Sequence, residues 1–219
     1  MRNTRLALPL LMLLPLAATI GGCQSAYYGA WEKLGVHKRD ILVERVQKAR
    51  DSQESAKVQF TDALEQFRSV VKIDGGNLAA KYDKLKSELD SSQARADDVS
   101  KRIESVKAVS DALFKEWESE LDQYQNPDLR QASERELQNT RTRYDQLIAA
   151  MERAESKMKP VLVAFNDQVL FLKHNLNARA IASLQGVSIS LEKEINILIE
   201  DMNRSIDEAN AFIKDMGKS

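Results

Sequence analysis

The 219-residue chain has one cysteine, two histidines, four prolines, eight glycines and 6% aromatic residues, and each scarcity excludes something. A lone cysteine cannot close an intramolecular disulfide, so packing alone must hold the fold, even in an oxidising compartment. His37 and His174 stand in no H-E-x-x-H pattern and have no cysteine pair beside them, so no metal site is visible. Asp74-Gly75-Gly76 lacks the Lys and Ser or Thr of a phosphate loop, and no G-x-S-x-G elbow occurs. An excess of one charge is missing too, with 32 Lys and Arg against 33 Asp and Glu. Both signs are interspersed along every segment, which argues against the clustered basic surface that nucleic acid requires. The paired carboxylates Asp97-Asp98 and Glu134/Glu136 fall at heptad-flanking, solvated positions with no pocket for acid–base work. No catalytic residue and no cofactor is expected.

Long apolar runs are also few. The longest, Leu6 to Ile20, has about fifteen residues, short of the roughly 20 that span a bilayer, and Pro9 and Pro15 interrupt it. Arg2 and Arg5 precede it and the small residues Gly21 and Gly22 follow, the layout of a secretory signal over residues 1–22. The quartet Ile20-Gly21-Gly22-Cys23 resembles the lipobox of bacterial lipoproteins. That resemblance implies a diacylglycerol on the Cys23 thiol and, after cleavage, a third acyl chain such as palmitate on the new amino terminus. Each buried methylene contributes about 0.8 kcal/mol, so one chain binds reversibly while three hold a protein to the membrane. In enteric lipoproteins an aspartate after the cysteine usually means retention in the inner membrane. Gln24 stands there instead, which favours the periplasmic face of the outer membrane.

Residues 23–37 then read as a membrane-proximal linker. Tyr27, Tyr28 and Trp31 lie within about eight positions of the expected lipid, and such rings favour the headgroup region, where one side is apolar and the other wet. Packing of these rings onto the base of the domain is the other reading. With no long Gly/Ser/Pro tether and about 3.4 Å per extended residue, the domain stays close to the bilayer.

The remaining chain, residues 38–219, is rich in Ala, Leu, Glu, Lys, Gln and Arg, a helical composition. Apolar residues recur at a three-four spacing in four segments. The first, from about Lys38 to Lys72, carries Leu42, Val46, Ala49, Ala56, Phe60, Ala63, Phe67 and Val70 in register, broken only by Gln53. Asp74-Gly75-Gly76-Asn77 reads as a turn with Asn77 as the next N-cap. The second segment runs from Leu78 to about Gln125 and is thin where it carries Ser92, Ala96 and Ser110. Asn126-Pro127 reads as an N-cap with proline at the first helical position. The third passes through Pro160, where a straight helix is not expected. A break at Asn175 to Arg179, a short helix ending before Gly186 and a last helix from Ser188 or Ser190 complete the pattern. At 1.5 Å per residue the first and last helices reach about 50 and 40 Å, and the middle two about 70 Å each.

An all-α fold of long antiparallel helices follows: a four-helix bundle with the second and third helices projecting as a coiled-coil hairpin. The projection is expected from about Ala108 to about Tyr144, with its tip near Asn126 and Pro127. Phe114, off the main stripe, and Trp117 would then form an outward apolar contact patch. Packing of both rings on Leu137 and Tyr144 across the hairpin is the other reading.

Two stretches carry a family resemblance: Tyr27-Tyr28-Gly29-Ala30-Trp31-Glu32-Lys33-Leu34-Gly35-Val36-His37-Lys38-Arg39-Asp40 onward to Val46, and Phe171-Leu172-Lys173-His174-Asn175-Leu176-Asn177-Ala178-Arg179-Ala180-Ile181. They resemble an uncharacterised proteobacterial family catalogued as domain of unknown function 2959. The resemblance implies a secreted, helix-rich lipoprotein and transfers no catalytic residue. The expected function is therefore a non-enzymatic envelope lipoprotein, anchored to the membrane by its lipid, that acts as scaffold, spacer or adaptor. Its partner would be a helical protein or a second copy. The alternative is a carrier of lipid or a small apolar ligand, whose sign would be a sizeable apolar cavity between the helices.

Overall fold

The computed structural model describes residues 37–72, 77–175 and 178–217. Four helices make up this body: α1 (Lys38–Lys72), α2 (Leu78–Leu121), α3 (Pro127–His174) and α4 (Ala178–Met216), with no strand among the described residues. Each packs on two neighbours, α1 on α2 and α4, and α3 on the same two, which closes an all-α four-helix bundle.

The cross-helix contacts give the directions. Ser52 meets Asp98 and Gln59 meets Glu88, so α1 and α2 run antiparallel. Arg50 meets Asn210 and Lys57 meets Asn203, so α4 returns against α1. Lys107 meets Glu152 and Phe114 meets Tyr144 between α2 and α3. Across the diagonal, the rings of Phe67 and Phe165 pack edge to face with centroids 6.2 Å apart.

Local chemistry starts the helices where the sequence says they start. Asn77 caps α2, its side-chain oxygen accepting the amide of Ala80 at 3.1 Å. Asn126 caps α3 by accepting the amides of Asp128 and Leu129, and Pro127 fills the first turn, where its missing N–H costs nothing. At the other end of α1, the Val71 carbonyl accepts the Gln185 side-chain amide at 2.7 Å, so α4 satisfies a carbonyl that α1 cannot pair internally.

The three-four stripes are the core. Leu42, Val46, Ala49, Ala56, Phe60 and Phe67 of α1 are wholly buried, as are Leu147, Met151 and Ala154 of α3 and Leu198, Met202 and Ala209 of α4. Gln53, the one break in the first stripe, is buried with them.

Two expectations about the helices need correction. No helix ends before Gly186: α4 is continuous from Ala178 to Met216. A Cβ at Gly186 would meet nothing within 4 Å, so this glycine occupies an open surface position and costs the helix about 1 kcal/mol against alanine. Pro160 lies inside α3, which continues through it to His174 as the spacing of the third segment expects, at the cost of one amide donor. Pro160 and Ser156 are both exposed, so water can take the Ser156 carbonyl that a residue-160 amide would have bound.

The second correction concerns the projection. Lys38 at the start of α1 reaches Glu116 at 2.7 Å, and Arg143 reaches Asp215 near the end of α4 at 3.2 Å. Val109, Ser110, Leu113 and Phe114 are buried. The hairpin beyond the bundle is therefore residues 117–142 rather than Ala108 to Tyr144, a stub of about 20 Å.

One ion-dipole contact between helices makes a pH-dependent prediction. The Ser52 hydroxyl donates to Asp98 at 2.6 Å and holds its carboxyl below the usual carboxylate range, against partial burial and with help from Arg102. Because the folded-state pKa is depressed, the bond's stabilisation is complete above the ordinary aspartate pKa and is lost as pH falls through the folded value. Ser52→Ala is expected to cost about 1 kcal/mol near neutrality and progressively less below about pH 4. Melting curves of both proteins at pH 7 and pH 3 check it, and a gap independent of pH would contradict it.

Candidate functional site

Of the two readings of Phe114 and Trp117, an outward patch or packing across the hairpin, Phe114 follows the second. Phe114 is buried, its ring packed edge to face on Tyr144 at 5.4 Å and covered by the Arg141 guanidinium at 5.1 Å. Trp117 is half-buried, and its indole N–H donates to Ser133 at 2.8 Å. Both rings thus close the base of the hairpin, and burial there pushes the Tyr144 hydroxyl above its ordinary pKa. The physical reason is geometric. On an antiparallel pair a residue flanking the seam is covered when the partner helix offers a large side chain at the same level, and α3 offers Tyr144 and Arg141. Cys23, Tyr27, Tyr28 and Trp31 lie outside the described residues.

A groove opens instead farther along the same two helices. It lies between α2 and α3, has a volume of about 810 Å³ and runs from Leu89 to Ser100 on α2 and from Glu152 to Asn166 on α3. Side-chain size creates it. On α2 the small residues Ala96 and Ser100 line it, Ala96 at a stripe position where a heptad usually places Leu, and the facing α3 side chains do not fill the difference. Ala96, Met158 and Leu162 form the apolar floor, each under a tenth exposed. Val163 sits on the wall with 54% of its surface exposed, and Leu170, one heptad on, continues the apolar line with 46%.

The rim is charged. Asp90 and Asp97 stand on α2, Glu152, Glu155 and Lys159 on α3. Lys86 pairs with Asp90, while Lys107 bridges Glu104 and Glu152 at 3.0 and 3.1 Å, which holds its ammonium firmly charged and ties α2 to α3 at one end of the groove. Asp97 accepts only the Gln93 side-chain amide, at 2.9 Å, and Glu155 meets no cation among the described residues. A second groove, of about 610 Å³ between α3 and α4, is lined almost wholly by charged side chains and alanine, so the α2/α3 groove is the more apolar of the two.

Among the described residues no group of three or more His, Cys, Asp and Glu could hold a metal ion, and no described helix is long and apolar enough to cross a membrane. His37 and His174 are exposed at the start of α1 and the end of α3. Sequence reasoning found the thin face of α2 but missed Leu162 and Val163. Their signal is the run Val161-Leu162-Val163, three apolar residues in succession where one core stripe needs only one.

A family model described as "Protein of unknown function (DUF2959)" matches residues 27–216. None of the curated proteins compared with the chain matches it.

Proposed function

The chain belongs to that family, and we propose that it is a non-enzymatic lipoprotein of the bacterial envelope, held by an acylated Cys23 at the periplasmic face of the outer membrane. It works as a scaffold, spacer or adaptor through helical contacts. The observation that carries this reading is a lone cysteine, set in a lipobox-like quartet behind a signal-like apolar run, ahead of an all-helical body. The contacting face of that body is the α2/α3 groove.

A carrier of apolar ligands is the second reading, favoured by the groove's volume of about 810 Å³. The groove is open along its length, however, and would cover a ligand on one side only.

The anchor is tested with Cys23→Ser. The wild type is expected to take up a clickable fatty-acid probe and to fractionate with the outer membrane, and the variant to lose both. Absence of label on the wild type, together with unchanged fractionation of the variant, overturns the reading.

A further inference from the structure

We propose that the α2/α3 groove receives a basic amphipathic helix of a partner protein. This rests on the adaptor reading above and names the partner's chemistry. Length, floor and rim each constrain the occupant. The lined stretches, Leu89 to Ser100 and Glu152 to Asn166, measure about 16 and 21 Å at 1.5 Å per residue, the length of three to four helical turns. The floor of Ala96, Met158 and Leu162 with Val163 on the wall is apolar, and methionine lets such a floor adapt to the side chains laid on it.

The rim decides between a helix and a lipid. Four carboxylates face one lysine around the groove. Two of them, Asp90 and Glu152, are already neutralised by Lys86 and Lys107, whereas Asp97 on one wall and Glu155 on the other have no cationic partner among the described residues. A helix with Leu-like residues on one face and Lys or Arg along both borders meets the floor and both free carboxylates at once. A fatty acid or anionic phospholipid would bring its own negative charge against them, so the same rim that attracts a basic helix repels such a lipid.

The test uses the full chain in zwitterionic-lipid nanodiscs and a single added cysteine, Val163→Cys on the groove wall or Leu129→Cys at the hairpin tip. Both native side chains are more than half exposed, so neither change disturbs the core. The probe is a fourteen-residue Leu/Lys peptide of helical periodicity, compared with a Leu/Glu peptide of the same pattern. The Leu/Lys peptide is expected to slow maleimide labelling at position 163 at least fivefold and to leave position 129 unchanged. Asp97→Lys with Glu155→Lys is expected to remove that protection without shifting the melting temperature. Leu170→Cys repeats the measurement should position 163 react poorly. Equal protection by the Leu/Glu peptide, or protection of neither groove position, overturns the proposal. Protection by oleate instead assigns the groove to a lipid, and protection that grows with protein concentration alone assigns it to a second copy. None of these results alters acylation at Cys23, so the groove and the anchor fail separately.

Discussion

Phe67→Ala is expected to cost the bundle about 3 to 5 kcal/mol, the largest effect of any single truncation proposed for this protein. The Phe67 ring is wholly buried and reaches across the diagonal to Phe165, which is itself 1% exposed. Alanine removes the ring's transfer free energy and leaves a cavity that Phe165, held from the other side, cannot close. The loss falls on a contact across the centre of the bundle, where both rings are enclosed by the neighbouring helices. Two comparisons make the expectation specific. Val58→Ala, on the exposed face of the same helix at 51% exposure, is expected to stay within about 0.5 kcal/mol of the wild type. A double-mutant cycle of Phe67→Ala and Phe165→Ala is expected to return a coupling of about 0.5 to 1.5 kcal/mol, the contribution of an edge-to-face pair beyond area burial. Denaturant titration measures the wild type and all four variants. A cost at Phe67 no larger than at Val58 would mean that the α1 stripe does not face the core.

The core was legible because burial in a helical bundle depends on one number, the 3.6-residue turn, which composition and spacing display directly. Every stripe position of α1 and α4 that the spacing selects is buried, and so are Leu137, Leu147, Met151, Phe165 and Leu172 of α3. Helix continuity was less legible, because glycine and proline are read as punctuation while burial can outweigh them. Ile181, Leu184 and Leu191 keep one inward line across Gly186, so a cost of about 1 kcal/mol for the glycine does not break α4. Val161, Leu162 and Phe165 do the same beyond Pro160. The stagger of the helices was not legible at all. α1 has 35 residues and α2 has 44, but only the pairing of Lys38 with Glu116 shows that α2 runs little more than one turn past the start of α1, to Leu121.

The candidate site was half legible for the same reason. The small residue Ala96 announces that α2 leaves space, since a heptad position without a large side chain cannot fill its hole. Which neighbour then fails to fill it depends on the level at which α3 crosses, and no single helix carries that information. Phe114 left two readings open, outward contact or packing on Tyr144 across the hairpin. Its place beside the seam suggested exposure, and Tyr144 with Arg141 covers it because the two helices bring those three positions to one level.

Ser205→Ala is expected to destabilise the bundle by about 1 to 3 kcal/mol, although it removes a single oxygen. The Ser205 hydroxyl donates to the Gln53 carbonyl oxygen at 2.6 Å inside the α1/α4 seam, and both residues are wholly buried. Without the hydroxyl, the Gln53 amide has neither end satisfied by a protein partner, because its nitrogen already lacks one. An exposed control, Ser55→Ala, is expected to cost a few tenths of a kcal/mol at most. Replacing both partners, Gln53→Leu with Ser205→Ala, removes the orphaned amide and fills the space with apolar atoms, so stability is expected to return to the wild-type level or above it. The gain has a structural cost. Ala49, Ala56, Met202 and Ala209 flank this layer on both helices, and an unbroken apolar seam permits a one-heptad slip that the polar pair forbids. The double variant is therefore expected to melt at least as high as the wild type but to show a broader transition and a second set of amide resonances for α1 and α4. A sharp transition with one set of resonances would show that the flanking contacts, Arg50 with Asn210 and Lys57 with Asn203, hold the register without it. A cost for Ser205→Ala as small as for Ser55→Ala would remove the buried hydrogen bond from the account altogether.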